Sequence, residues 1–310
     1  NDNAKAAFGT SSDLTIYHDG SNSYLQNGTG ALHIRNDGIY FKNAAGSENF
    51  IDCSPNAEVS LFYDNTKRFE TSNTGATVTG ILVAEGGIDA TDAQNNTRVG
   101  AGAGDSFSGT DAANNTLIGL NAGTAITTGD YNTVLGANAL DANTTGDSNI
   151  AIGYAALTTS STAAKAIAIG DQAMEATTTG SWGIAIGHQA LEAQTDANYN
   201  VAIGFAAGKA TTTAGNNVFI GGESGETNTT GSNNTAVGFR ALEANTTAGN
   251  QTAVGRLALQ NNTTGYENTA VGALTLDANT TGGSCVAVGV NALSSNTTAT
   301  ENTAVGHQAL

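Results

Sequence analysis

The sequence predicts an all-β protein: an N-terminal β-meander of hairpins followed by a stacked β-roll, or β-solenoid, of seventeen-residue coils, assembled as a parallel homotrimer. Three observations carry that prediction. The first is a period. A glycine closing an AVG or AIG step recurs at Gly119, Gly136, Gly153, Gly170, Gly187, Gly204, Gly221, Gly238, Gly255, Gly272, Gly289 and Gly306, always seventeen residues apart. A repeat that never slips stacks each copy on the next in one way, as a solenoid requires. The second is composition: 310 residues with 40 Gly, one Pro, 6% aromatic and 12% charged residues, a fibrous profile. The third is a strand that is apolar on both faces.

That strand comes first in the repeat. With the glycine as position 0, position −1 is Ile, Leu or Val in all twelve copies, and position −3 is Thr, Ile or Val in all twelve. The two share a face in period-two geometry, and the bulkier file is read as the core. Position −2 is Ala in nine copies and Leu117, Val134 and Phe219 in the others, never polar. Read as the outer face, this small apolar file calls for a second surface to close over it. The simplest candidate is another copy of the chain about a three-fold axis.

The second segment follows. Position +4 is Leu or Met in nine copies and Gly in the rest, and position +5 is often charged (Asp141, Glu175, Glu192, Glu243, Asp277), which gives one dry and one wet side. The turn is N-T-T-G in its fullest form (143–146, 262–265, 279–282), with Asn and Thr supplying local side-chain to backbone bonds. Asn also opens most units (Asn115, Asn132, Asn149, Asn200, Asn217, Asn234, Asn268, Asn302). Stacked Asn is expected to bond amide to amide along the axis. Twelve coils at a strand spacing of about 4.8 Å make a rod of roughly 55–60 Å. The repeat is expected to continue past Leu310, and, with no initiator Met, the natural start is expected to lie elsewhere.

Residues 1–84 read differently. LTIYH (14–18) and SYLQN (23–27) flank Asp19-Gly20-Ser21-Asn22 as a hairpin. Further strands are expected at 31–35, 38–43, 49–53, 59–64, 67–72 and 76–84. So thin a meander buries little core alone, which again favours association. Residues 85–114 form a Gly-, Ala- and Asn-rich junction. Its near-copy of the unit at 96–100 sits nineteen residues before Gly119, as an imperfect capping coil. Residues 115–310 are the shaft.

The residues 13–80, from DLTIYHDGSNSYLQNGTG to RFETSNTGATVTG, resemble a module that recurs in tail-fibre proteins of marine bacteriophages. The NTAVGxxALxxNTTG units resemble the repeats that follow it there, and the AIG and AVG steps are similar to the head repeats of trimeric autotransporter adhesins, left-handed parallel β-rolls joined as trimers. Adhesin heads repeat near fourteen residues, against seventeen here. The resemblance implies a non-enzymatic, rigid trimeric segment of a phage tail fibre that presents a host-binding tip, with other tail proteins and host polysaccharide or protein as partners and the virion as its location. A bacterial surface adhesin and a polysaccharide-degrading tailspike are the alternatives.

Charge and motifs narrow the chemistry. The net charge of −17 disfavours nucleic acid and anionic membranes, and no apolar run reaches the ~18–20 residues of a membrane span. Six of the ten Lys and Arg lie before Gly119. Cys53 and Cys285 are isolated, so no disulfide framework arises. No nucleophile elbow, phosphate loop or calcium nonapeptide is present, and no cofactor is expected. His188 and His307 both occupy position +1 but stand seven coils apart, too far for one metal. The pair Glu223 and Glu226 has the residue types of a glycan-cleaving site, with a solvated edge as the plainer explanation. Tyr131, Trp182, Tyr199 and Tyr266 precede the strand and are the candidate glycan contacts; the competing reading is rings that cover turn backbone or fill gaps between protomers. The N-T-T sites match a glycosylation pattern but are read as turn chemistry. Adjacent Thr residues point to opposite sides, against a flat ice-binding face.

Overall fold

A computed structural model describes residues 5–9, 13–28, 30–35, 38–54, 58–72, 75–79, 92, 94–107 and 111–310. The chain divides into two compact units, Asn1–Ile88 and Asp89–Leu310. Every described element is a strand, so there is no helix to cross a membrane among the described residues.

The first unit holds two antiparallel sheets. One pairs β1 (Lys5–Phe8), β2 (Leu14–His18) and β3 (Ser23–Asn27) in order. The expected hairpin is β2–β3, with Tyr17 opposite Tyr24. Asp19 holds its turn: Oδ1 accepts from the amides of Ser21 and Asn22 at 2.9 and 2.8 Å, and Oδ2 from the Tyr24 hydroxyl at 2.8 Å. Those bonds, the Asn22 amide first, hold the carboxyl below its ordinary range.

The other sheet is a meander of β4 (Ile39–Lys42), β5 (Asn49–Cys53), β6 (Val59–Tyr63), β7 (Thr66–Ser72) and β8 (Gly75–Val78). Asp64 and Asn65, at φ 52° and 54°, form the β6–β7 turn, where two consecutive left-handed residues suit the strand twist. Two expectations fail here. Residues 31–35 are exposed and make no ladder; alternation alone does not supply a pairing partner. The strand β1 was not expected, because KAAF carries no turn or alternation signal. The expected strand at 76–84 is seen as far as Val78, and residues 80–84 lie outside the described positions.

The second unit is one parallel sheet of thirteen strands in strict chain order, from β9 (Thr97–Val99) and β10 (Thr116–Ile118) to β21 (Thr303–Val305). The near-copy at 96–100 joins it as the first strand, with Thr97 opposite Thr116. Each later pair is offset by seventeen residues, as Ile150 with Ile167 and Ile184 with Val201. The fold class read from the sequence is therefore observed: antiparallel sheets, then a parallel β-solenoid.

The facing of the strand is the reverse of the sequence reading. Position −2 is inside, with Ala151, Ala168, Ala185, Ala202 and Phe219 at zero exposure. Positions −3 and −1 point outward and are half-buried or exposed. The reason is volume. Leu140, Leu157, Leu191 and Leu242 at position +4 enter the coil from the opposite segment and are fully buried. A three-residue strand facing them across so narrow a section has room mostly for alanine, with Val134 the exception opposite Leu140. Around Leu117 and Phe219, the bulkiest residues at position −2, position +4 is glycine both in the same coil and in the coil before: a Cβ on Gly123 would lie 3.0 Å from Leu117, and one on Gly208 2.7 Å from Phe219. Core volume is conserved between the two columns.

The turns are held by backbone that points along the stack. Positions −5, +2 and +4 are left-handed in every complete coil, as Ser148 (φ 60°), Asn138 (55°) and Leu140 (51°). For residues with a side chain this costs about 1–2 kcal/mol each. Each amide gains an inter-coil bond in return: Ser148 N to Asp130 O at 2.8 Å, Asn138 N to Leu120 O at 2.8 Å, Leu140 N to Ala156 O at 3.0 Å. The glycine at position 0 is extended at positive φ, 142° at Gly119 and 139° at Gly204, a region open only to glycine.

Two buried asparagine columns complete the stack. The unit-opening column bonds mainly to backbone: Asn234 Oδ1 accepts from the Gln251 amide and Nδ2 donates to Ala248 O, both at 2.9 Å. Amide-to-amide bonding, expected there, is confined in that column to its first members, as Asn132 Nδ2 to Asn115 Oδ1 at 3.1 Å. It runs instead through the N-T-T column, with Asn245 Nδ2 on Asn228 Oδ1 at 2.7 Å and Asn279 Nδ2 on Asn262 Oδ1 at 2.8 Å. Asn143, Asn262 and Asn279 are fully buried, so their amides are not open to glycosylation.

Candidate functional site

With the interior filled by Ala, Leu and Asn, function falls to the files of side chains on the outside of the coils. Three stand out, each placed by its position in the repeat.

The first is the aliphatic file of the strand. Ile118, Leu135, Ile203, Val254, Val271, Val288 and Val305 at position −1 are all exposed to 36% or more, and Ile150, Ile167 and Ile184 at position −3 are half-buried. Position +1 adds Leu120, Tyr154, Phe205, Phe239 and Val290, also exposed. Thirteen strands at about 4.8 Å and a width of roughly 10 Å give a strip of roughly 600 Å². That reaches the upper end of what monomers usually expose, and such strips mark interaction surfaces.

The second file is position −5. It brings Lys165, Trp182 and Tyr199 together in successive coils. The two rings stack at 6.4 Å between centroids and 23° between planes, and the Lys165 ammonium lies 4.2 Å from the Trp182 centroid. Trp182 is thus sandwiched between Lys165 from the coil before and Tyr199 from the coil after, its faces occupied along the axis. Tyr131 stands three coils before Trp182 in the same file, and Tyr266 belongs to the neighbouring position −6. Of the four candidate glycan contacts, only Trp182 and Tyr199 are brought into contact, and all four are exposed.

The third file is charged and lies on positions +2 and +5. Glu223, Glu226 and Glu243 offer carboxylate oxygens within 4.8 Å of one another. Arg240 donates from Nε to Glu223 and lies 3.7 Å from Glu243. Glu226 is pushed up, by burial first and then by the charges of Glu223 and Glu243. Lys209 reaches Glu192 at 3.4 Å and Gln189 Oε1 at 3.0 Å. With Arg240 set between carboxylates of adjacent coils, the arrangement is a surface ion-pair network. Sequence spacing pointed to Glu223 and Glu226; Glu243 and Arg240 join them because each lies seventeen residues from a member of that pair.

His188 stands at position +1, its ring stacked on Phe205 at 5.6 Å and its Nε2 3.8 Å from Asp171. His307 lies in the same exposed file, near the end of the stack. The Thr columns divide: at position +8 the hydroxyls are engaged, Thr144 Oγ1 on Ser161 O and Thr263 Oγ1 on Thr280 O at 3.1 and 3.0 Å, whereas Thr145 and Thr264 at position +9 are exposed.

Comparison of the chain with protein-family models, with curated proteins and with solved structures returns no match.

Proposed function

We propose that the chain is a non-enzymatic structural segment: a rigid shaft of a homotrimeric fibre, set in a bacteriophage tail, that holds a host-binding tip away from the particle. One observation supports this above the others, the aliphatic file that runs in register along the outside of all thirteen strands. An in-register file of Ile, Leu and Val offers the same kind of surface at every level, so it suits a parallel copy of itself better than a globular partner. Its roughly 600 Å² is close to the ~800 Å² per partner of a stable interface. Stiffness follows from the amides at positions −5, +2 and +4, which bond coil to coil outside the β ladder. The phage setting rests on the resemblance of residues 13–80 and of the repeat to tail-fibre sequences.

Native mass tests the assembly. The chain is 30.9 kDa, so sedimentation is expected to give three times that value, and Val254→Glu with Val271→Glu is expected to release single chains. A wild-type monomer would remove the reading. Antibodies raised against the coils are expected to label phage tails; labelling of a bacterial envelope instead would assign the chain to a surface adhesin.

A further inference from the structure

The described residues of the N-terminal unit hold no apolar core. Among its described residues only Thr15 and Ser60 are buried, and no apolar side chain is. Yet its five-stranded sheet is strongly two-faced. Cross-strand partners Phe41, Ile51, Leu61, Phe69 and Val78 form one unbroken apolar row across β4 to β8. The alternate row, Tyr40, Asp52, Ser60, Glu70 and Thr77, is polar throughout apart from the Tyr40 ring. Phe41, Leu61 and Val78 are 52, 41 and 41% exposed. Among the described residues, strand packing runs only between sheet neighbours, so no second layer of this chain covers the row.

A single sheet with one apolar face needs a second layer to be stable. A unit with no core of its own cannot fold first and wait for an unrelated partner, so its cover is obligate and present at synthesis in equal amount. A copy of the same chain meets that condition and brings an identical, uncharged row. Packed sheets sit about 10 Å apart, the reach of interleaved Phe, Leu and Val. We infer that the apolar face of the β4–β8 sheet is a homotypic interface, packed against the same face of other copies to form a shared core. This rests on the reading of the chain as a self-assembling trimer, and extends contact between copies from the coils to the N-terminal unit.

Cys53 reports on this face, since it lies opposite Ile39 and Val59 in the same apolar set, while Cys285 is fully buried inside the coils. Maleimide labelling of the native full-length chain, read by peptide mass, is expected to modify Cys53 at least about tenfold more slowly than in the urea-unfolded chain. Leu61→Asp and Leu61→Lys should each abolish that protection. Co-refolding the two variants should restore it, because only facing copies can pair the new charges, and Thr77→Asp on the polar face should leave it intact. A trimer whose Cys53 labels at the unfolded rate, or protection that the mixed charges fail to restore, overturns the homotypic face and leaves the shaft reading standing. A native monomer overturns both.

Discussion

The ring of Phe219 occupies the space that a leucine takes in the other coils, and Gly225, six residues on, is glycine because that ring is there. A Cβ on Gly225 would fall against Cδ1 and Cε1 of Phe219, and one on Gly208 in the coil before would lie 2.7 Å from Cδ2. Nothing in the backbone asks for glycine: Leu242 and Leu191 hold the same position at φ 58° and 51°, against 59° at Gly225.

The pair predicts a strong coupling. Phe219→Ala should cost about 3–5 kcal/mol through the cavity it leaves. Gly225→Leu should cost about 1–3 kcal/mol or more through overpacking. Combining Phe219→Ala with Gly208→Leu and Gly225→Leu restores the pattern of the other coils, and should recover most of the loss. Urea unfolding of the set reads the interaction energy directly; additive costs would show that the ring and the glycines do not share one space.

How much of this was legible can be judged from the same residues. The glycine period fixed the stacking and the register, because a constant interval has one structural meaning. The 14–27 hairpin was legible from Asp19-Gly20. The facing of the strand was not, since Ile and Ala are both apolar and alternation cannot say which side is inner. The missing signal was present but spread over two coils: Phe219 and Leu117 coincide with glycine at position +4. The left-handed leucines left no trace at all, because leucine there is chosen for the core and its amide direction is set by the neighbouring coil. The aromatic file was located, but only stacking in three dimensions shows Tyr199 and Lys165 covering Trp182.

The position-0 glycines should not be equivalent. Gly204→Ala meets two penalties: its φ of 139° is closed to alanine, and the new Cβ would lie 2.5 Å from the Gly221 carbonyl oxygen of the next coil. Gly306, at φ 131°, has only Ala309 Cβ at 4.0 Å. Gly306→Ala should therefore cost only the conformational part, about 1–3 kcal/mol, and Gly204→Ala clearly more. Equal losses in denaturant titration would mean that close approach of the coils contributes nothing.

Asn234 links two successive coils through one side chain. Its loss strands the Gln251 amide inside the stack and leaves the Ala248 carbonyl with Asn245 Nδ2, at 3.0 Å, as its remaining donor. Asn234→Ala should cost about 1–3 kcal/mol. Asn234→Asp should cost more, since it keeps the acceptor but replaces the Nδ2 donor with a buried carboxylate oxygen facing a carbonyl. Hydrogen exchange at the Gln251 amide separates the two effects: protection should fall in the alanine variant before any global unfolding. An alanine variant with unchanged exchange would show that the column is not what secures the stack. Cys285 offers a natural comparison, because its thiol donates to Ala299 O at 3.4 Å, in place of an asparagine amide.

Asp277 is a carboxylate whose burial works against it. Its Oδ1 is buried with no hydrogen-bond partner, and desolvation pushes its pKa above the usual 3.8. A carboxyl raised in the folded state contributes stability that is fully present below about pH 3.8, where both states are protonated, and that is lost as pH rises through the folded value. At pH 7 the ionised carboxyl therefore counts against the folded chain, desolvation outweighing the backbone hydrogen bonds at Asp277 and Ala278. Asp277→Asn removes the charge and keeps the shape, so it should raise the melting temperature by a few degrees at pH 7. The gain should shrink as pH falls, and vanish below about pH 3.8. Comparing the variant with wild type at each pH cancels the titration of the other 26 acidic groups, 27 in all. A variant that melts lower than wild type at pH 7, or a difference that does not change with pH, would show that Asp277 is stabilised by solvent or by a partner that offsets its burial.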